Sequence, residues 1–277
     1  MSEPTPDRRI TVALISEVFW QDDGVERLRG LLESARAGGA EIAVLPELPL
    51  NPWSAATTTP LDEDCEPPEG PRWNVQRDLA AEVGIGLVGG AIIVGGDGRR
   101  RNTALVFSSE GALLGTWEKA HIPAEPGFRE SDHYVPGRDV PTPIEGLGLP
   151  IGVQICSDVN RPEGTHLLAA QGAELVVAPR ATELATWHRW RPVLTANALT
   201  SCCWVASVNR PAPEQGVLIG GPSFAVAPDG EVLLETTEAL GLFSFDRGDL
   251  PRRRLEYPGY LDVRADLYRA GWDRVDG

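Results

Sequence analysis

The sequence is poor in cysteine, histidine and positive charge, and each shortage excludes a class of protein. It has four cysteines and four histidines in 277 residues, and no C-x-x-C pair or Cys/His cluster at ligand spacing, so neither a disulfide framework nor a metal site is expected. Lys and Arg number 25 against 40 Asp and Glu, which gives a net charge of −15. Because binding to a nucleic-acid backbone requires a basic surface, we expect no nucleic-acid partner.

Long hydrophobic runs are also missing. The longest uncharged stretch, residues 192–209, is interrupted by Pro, Asn, Thr and Ser and makes a poor membrane span. Near the N-terminus, the apolar run ITVALI is too short for the core of a signal peptide, and no small-residue cleavage site follows it. We therefore expect a soluble, cytoplasmic protein that does not act at a membrane.

The motifs of two common enzyme classes are absent as well. No G-x-S-x-G elbow occurs and the histidines show no partner pattern, so a Ser-His-Asp triad is not indicated. The runs GGAIIVGGDG and GVLIGGPS have neither the P-loop form nor the G-x-G-x-x-G form, which favours turns and close strand packing over phosphate binding. No organic cofactor is expected.

What the sequence does contain is an alternation of strand and helix patterns. Apolar residues at helical spacing occupy 23–37 and about 72–83, between β-rich runs at 10–17, 41–46 and 86–94. A similar alternation resumes after residue 149. The pattern predicts an α/β fold in a single domain over residues 1–277. The aromatic tail from about 252 to 277 is expected to pack on the body or on a second subunit.

Three reactive side chains lie at or just beyond the ends of predicted strands. Glu47 follows the strand EIAVLP, Lys119 ends ALLGTWEK and Cys156 ends IGVQIC. Because functional sites in sheets flanked by helices collect at the carboxyl ends of strands, the three could share one pocket. A carboxylate can accept the proton of a thiol, while an ammonium lowers the pKa of that thiol and stabilises an oxyanion. The trio predicts a thiol enzyme that attacks an acyl carbon.

The segments around these residues resemble the nitrilase superfamily of carbon–nitrogen hydrolases. VLPELPL surrounds Glu47, EKAHIP surrounds Lys119 and ICSDVNRPE surrounds Cys156, in the order and at the intervals of that family. The resemblance implies a four-layer α-β-β-α sandwich that forms a homodimer or a higher homo-oligomer, with a Glu-Lys-Cys triad and no cofactor. The loop spacing is similar to that of the amidase-type branch, which includes N-carbamoylputrescine amidases and N-carbamoyl amidohydrolases.

Carried over residue by residue, the resemblance implies a role for each of five positions. Glu47 would act as general base and then general acid, Cys156 as the nucleophile that forms a thioester, and Lys119 as the stabiliser of the tetrahedral oxyanion. The backbone N–H of Ser157 would share that oxyanion. Glu130, in the segment FRESDHYVPG, would position the lysine and the substrate.

The residues after the nucleophile favour amides over nitriles as substrates. Cys156 is followed by Ser157 and Asp158, a form common among amide-cleaving members, whereas nitrile-cleaving members typically carry Trp-Glu. We therefore predict a thiol amidohydrolase that cleaves a linear, non-peptide C–N bond, in an amide or N-carbamoyl compound, and releases ammonia or an amine. The alternatives are a nitrilase that converts a nitrile to an acid, and a non-catalytic interaction protein on the same scaffold.

Two further residues are candidates for substrate binding. The arginines with which N-carbamoyl-D-amino acid hydrolases bind a carboxylate are absent, because Asn160 stands where an arginine is usual. Arg180, at the end of the strand LVVAP, could bind a substrate carboxylate instead by a bidentate contact. Trp53 flanks the segment of Glu47 and could line the pocket, although core packing explains it equally well.

Overall fold

A computed structural model describes residues 8–275 as two β-sheets, each covered on its outer face by helices. Residues 1–7 and 276–277 lie outside the described residues. They include the two ends of the predicted 1–277 domain and most of the segment ahead of ITVALI. The strands are β1 (Arg9–Ile15), β2 (Ile42–Val44), β3 (Cys65–Glu66), β4 (Gly86–Val94), β5 (Arg100–Phe107), β6 (Leu113–Glu118), β7 (Ile151–Val153), β8 (Leu175–Arg180), β9 (Trp204–Asn209), β10 (Ser223–Val226), β11 (Val232–Thr236) and β12 (Leu240–Asp246). The helices are α1 (Gly24–Ala37), α2 (Pro71–Val83), α3 (Glu130–His133), α4 (Pro162–Ala170), α5 (Trp187–Ser201), α6 (Asp249–Arg253) and α7 (Ala265–Trp272).

The two sheets have related topologies. In the first sheet the order is β12-β1-β2-β4-β5-β6, with β3 beside β4, and the neighbours β1, β2 and β4 run parallel. In the second sheet the order is β11-β10-β9-β8-β7, and β7, β8 and β9 run parallel. Parallel neighbours in sequence order need helical crossovers, and α1, α2, α4 and α5 provide them.

Strand side chains alternate between an inner and an outer hydrophobic core. In β1, Val12 packs in the cluster shared by the two sheets, whereas its neighbour Ala13 packs with α1 and α2. In β8, Val177 belongs to the shared cluster, whereas Val176 packs with α4 and α5. Because successive residues of a strand point to opposite faces, each sheet is buried on both sides. The layers therefore follow the order α-β-β-α, and the predicted four-layer sandwich is confirmed.

The C-terminal tail meets the body through a few contacts and leaves many apolar side chains exposed. The Arg254 guanidinium donates to the Ala173 carbonyl at 3.2 Å, and Trp272 lies at a cavity that Trp117 also lines. Other large tail residues are in water, Leu255 being 79% exposed. Packing on a second subunit and the single-domain organisation stay predictions. Between residues 8 and 275, no helix combines the length and the apolar composition that a membrane crossing needs.

Candidate active site

The three predicted reactive residues come together beyond the carboxyl ends of three strands. Glu47 lies three residues after β2, Lys119 directly follows β6, and Cys156 begins a short 3₁₀ turn three residues after β7. Glu130 opens α3, in the long connection between β6 and β7. All four residues are buried, with the side chains of Glu47, Lys119 and Glu130 fully removed from solvent.

Lys119 lies between the two glutamates. Its Nζ is 2.7 Å from Glu47 Oε1, and 2.7 and 2.6 Å from the two carboxylate oxygens of Glu130. Burial opposes the charged form of the lysine, but attraction to Glu130 and Glu47 outweighs it and raises the pKa of Lys119. A buried ammonium paired in this way stays charged, so Lys119 is a fixed positive charge inside the site.

Glu47 has two carboxylate oxygens in different environments. Oε1 accepts hydrogen bonds from Lys119 and, at 2.7 Å, from the Asn102 side-chain amide. Oε2 is buried and has no hydrogen-bond partner among residues 8–275. A buried carboxylate oxygen without a partner is costly for the folded protein, and it is free to accept a proton.

Glu130 is hydrogen-bonded to Tyr134, which in turn contacts Asn102, and neither neighbour was predicted from the sequence. The Tyr134 hydroxyl donates to Glu130 Oε2 at 2.5 Å, and the Asn102 amide lies 3.4 Å from that hydroxyl. Burial raises the pKa of Glu130 to about 7; Lys119 opposes this shift and Glu47 adds to it. The spacing of four residues from Glu130 to Tyr134 matches one helical turn and was a signal available in the sequence.

Cys156 combines burial with an unusual backbone conformation. Its φ of 47° lies in the left-handed region, which costs a residue other than glycine about 1 kcal/mol or more. Burial raises the pKa of the Cys156 thiol well above its ordinary value, Glu47 adds to the shift, and Lys119 opposes it. The thiol is therefore protonated in the resting protein and needs a base before it can act as a nucleophile.

A small cavity opens onto Cys156 and Glu130, whereas Glu47 and Lys119 are not part of its lining. Its volume is about 150 Å³, and its lining includes Cys156, Ser157 and Glu130 together with the aromatic residues Phe128 and Trp190. Ser157 Oγ donates to the His121 carbonyl at 2.5 Å, which fixes the turn that carries the nucleophile. Among residues 8–275, no three His, Cys, Asp or Glu side chains are grouped so as to hold a metal ion.

Arg180 and Trp53 do not line this cavity. The guanidinium of Arg180 is buried, and its three nitrogens donate to Ser207 Oγ, Thr182 Oγ1 and the Pro222 carbonyl. Burial lowers the pKa of Arg180 to about 9. Since all three nitrogens already have protein acceptors, this placement gives no support to the predicted contact with a substrate carboxylate.

Trp53 is a fully buried residue behind the cavity. Its ring lies edge-on to Phe128, 5.8 Å between ring centres, and its Nε1 donates to the Gly127 carbonyl at 2.9 Å. The side chain therefore supports the wall that Phe128 forms, and its predicted direct contact with substrate stays a prediction.

Asp158 joins the lysine segment to the nucleophile turn. Its Oδ1 accepts the backbone N–H groups of Ala120 at 3.1 Å and His121 at 2.9 Å. Its Oδ2 accepts Trp117 Nε1 at 2.9 Å and the Ile155 N–H at 3.0 Å. The carboxylate thus fixes the residues after Lys119 against those before Cys156. In the sequence it appeared only as a marker of amide-cleaving members.

Arg210 holds the segment that carries Glu47. Its Nη1 donates to the carbonyls of Glu47 at 2.9 Å and Leu48 at 2.7 Å, and its Nη2 donates to the Asn51 carbonyl at 2.9 Å. Glu214 balances its charge at 2.7 Å. Leu48 has a φ of 50°, so this buried arginine anchors a turn with an unfavourable backbone conformation.

Comparison with known proteins identifies relatives over nearly the whole chain. Omega-amidase NIT2 of Homo sapiens is 29% identical over 257 residues, which cover 90% of this chain and 92% of the relative. Omega-amidase NIT2-A of Xenopus laevis is 30% identical over 264 residues, which cover 92% of this chain and 94% of the relative.

Solved structures share the fold. A carbon-nitrogen hydrolase from Helicobacter pylori superposes with a TM-score of 0.86 at 23% identity, over 95% of this chain and 98% of that one. Nit3 of Saccharomyces cerevisiae, a member of branch 10 of the nitrilase superfamily, has a TM-score of 0.81 at 24% identity, over 95% and 99%. A double mutant of an amidase from Nesterenkonia sp., in complex with acrylamide, has a TM-score of 0.76 at 23% identity, over 95% and 97%.

The family itself is settled by a sequence pattern. The carbon-nitrogen hydrolase pattern matches residues 11–242, a range that begins in β1, ends in β12 and includes all the strands between them. The resemblance seen in the three motifs is confirmed. The chain belongs to the carbon-nitrogen hydrolase family.

Proposed function

We propose that this protein is a thiol amidase that hydrolyses a small linear amide through a thioester on Cys156. The observation that carries the proposal is the unpartnered Oε2 of Glu47, a buried proton acceptor in a site that also contains a protonated buried thiol. The omega-amidases among the relatives, and the Nesterenkonia amidase in complex with acrylamide, support the choice of an amide.

In the first half-reaction Cys156 attacks the amide carbon. Glu47 takes the thiol proton through Oε2, and the sulfur forms a bond to the carbonyl carbon as the C=O pair moves to oxygen. The Lys119 ammonium and the backbone N–H of Ser157 stabilise that oxyanion. The tetrahedral intermediate then collapses, the C–N bond breaks, and the nitrogen leaves as ammonia with the proton that Glu47 returns.

In the second half-reaction water replaces the sulfur. Glu47, again a carboxylate, removes a proton from a water molecule that attacks the thioester carbon. The C–S bond breaks, the acid leaves, and the proton on Glu47 returns to the Cys156 thiolate. Glu130 fixes Lys119 throughout, because both of its oxygens lie within 2.7 Å of the ammonium.

The same proposal extends to further substrates and to the state of the protein in the cell. An N-carbamoyl compound presents the same carbonyl–nitrogen bond, so small ureido compounds belong to the proposed substrates. We also infer a cytoplasmic homodimer or higher homo-oligomer that needs no metal or cofactor and binds neither nucleic acid nor membrane. A nitrilase would use the same trio, but the relatives named as amidases favour amide hydrolysis.

Ammonia release from a panel of small amides, ureido compounds and nitriles tests the proposal. We expect ammonia from amides at a rate well above that from nitriles, and loss of turnover in Cys156→Ala. Cys65→Ala is the matched control, because Cys65 lies on β3, is partly exposed and does not line the cavity. Comparable turnover by Cys156→Ala and Cys65→Ala would overturn the assignment.

A further inference from the structure

The charged side chains that line the active-site cavity all have one sign. Glu125, in the connection after β6, and Glu183, after β8, line the cavity together with the buried Glu130. No lysine, arginine or histidine is part of the lining, which lies wholly within the described residues. The free end of a bound substrate therefore meets carboxylates and no cation.

The two outer glutamates differ from the buried one in having no ionic partner. Glu130 is paired with Lys119, whereas the carboxylate of neither Glu125 nor Glu183 takes part in a salt bridge or a hydrogen bond within residues 8–275. Glu183 is only partly exposed, which limits the screening of its charge by water, whereas Glu125 is exposed and its charge is screened more. Their negative charge is thus available to a ligand.

Two buried cations near the site, Lys119 and Arg180, cannot supply the opposite charge. Lys119 is held by two carboxylates, and the guanidinium of Arg180 donates to Ser207, Thr182 and Pro222 inside the protein. Phe128 and Trp190 also line the cavity, and aromatic rings attract cations. Carboxylates beside aromatic rings favour a positively charged group and disfavour an anionic one.

We propose that the cavity selects short amides whose far end carries a positive charge, such as an ammonium, over amides that end in a carboxylate. The inference rests on the proposed amidase function and names the substrate class of the same site. In such a complex Cys156 faces the amide carbon, while Glu125 and Glu183 bind the ammonium at the other end. The volume of the cavity, about 150 Å³, suits an amide with a spacer of a few methylenes.

Three amides of matched length test the selection: 4-aminobutanamide, pentanamide and the mono-amide of succinic acid. We expect kcat/KM to fall in that order, with at least about a tenfold difference between the cationic and the anionic amide. Glu125→Gln and Glu183→Gln should each reduce the cationic-to-anionic ratio by roughly fivefold. Glu183→Asp keeps the negative charge and should retain most of the wild-type cationic-to-anionic ratio.

A control variant distinguishes the effect of a charge at the cavity from the effect of the net charge of the protein. Glu33 is exposed on α1, which covers the other sheet, and Glu33→Gln should leave the ratio unchanged. Equal or better turnover of the anionic amide, with ammonia released, would overturn the inference and leave the amidase function standing. No ammonia from any of the three amides or from the wider panel would overturn both.

Discussion

Glu130 is the group whose ionisation the structure alters in a directly measurable way. Because burial raises its pKa to about 7, the folded protein binds a proton that the unfolded chain releases at lower pH. Its contribution to stability is therefore full below the ordinary carboxyl pKa and is lost as the pH rises through about 7.

Glu130→Gln removes that titration. We expect the free energy of unfolding of the wild type to fall by up to about 3 kcal/mol more than that of the variant between pH 5 and pH 8. Urea unfolding at both pH values measures the difference. Parallel losses in the two proteins would show that Glu130 does not titrate in this range. Lys119 would lose a bidentate partner, so turnover should also fall.

Side-chain orientation separates the predicted residues that meet at the site from the predicted residue that does not. Glu47, Lys119 and Cys156 could be predicted to meet because each lies at or just past a strand end and each carries a family motif. Arg180 also ends a strand, yet its guanidinium points into a buried network. A strand pattern in the sequence predicts that a residue lies at the end of a strand. It does not predict which polar groups surround the side chain.

Asp158 fixes two elements that meet at the site, the end of β6 and the turn after β7. Asp158→Asn replaces an acceptor oxygen with an amide that faces backbone and ring N–H donors. We expect kcat to fall about 100-fold with a much smaller change in KM, because a displaced Lys119 or Cys156 weakens the transition state rather than substrate binding.

A second buried aspartate provides the matched control for this change. Asp64 accepts the Leu61 N–H at 3.3 Å, outside the active-site lining. Asp64→Asn should lower the free energy of unfolding but leave kcat close to that of the wild type. Equal effects of the two substitutions on kcat would mean that Asp158 has only a general structural role.

Arg210 supports the turn after β2 by donating to three backbone carbonyls. Lysine has a single ammonium and cannot reproduce this planar set of donors, so Arg210→Lys should lower the free energy of unfolding by about 3 kcal/mol. The exposed Arg191, paired with Glu235, is the comparison, and Arg191→Lys should cost less than about 1 kcal/mol. Urea unfolding of both variants measures the two changes in the free energy of unfolding. Similar small decreases in the two variants would contradict the role of Arg210.

Contacts between distant segments explain why these supporting residues were not predicted. Arg210 reaches Glu47 across 163 positions of sequence, and Trp117 reaches Asp158 across 41. Helix and strand periodicity carries no information about such pairs. The elements themselves were predictable, because alternating apolar runs such as 10–17 and helical spacing over 23–37 agree with β1 and α1.

For the whole molecule, the motifs constrain the fold more tightly than composition does. Composition and periodicity led only to an α/β class, whereas the three motifs implied the α-β-β-α layers that the two sheets and their helices form. The tail beyond residue 252 was expected to be covered, but Tyr257 is 77% exposed. A second subunit as its cover stays a prediction.

The central claim is a covalent bond between Cys156 and the acyl part of the substrate. Intact-protein mass spectrometry after rapid mixing with a turned-over amide and acid quench tests it most directly. We predict a transient adduct on the wild type, heavier than the free protein by the mass of the amide less that of ammonia, with none on Cys156→Ala and a greatly slowed one on Glu47→Gln. Ammonia release by the wild type at full rate without any such adduct would contradict the account.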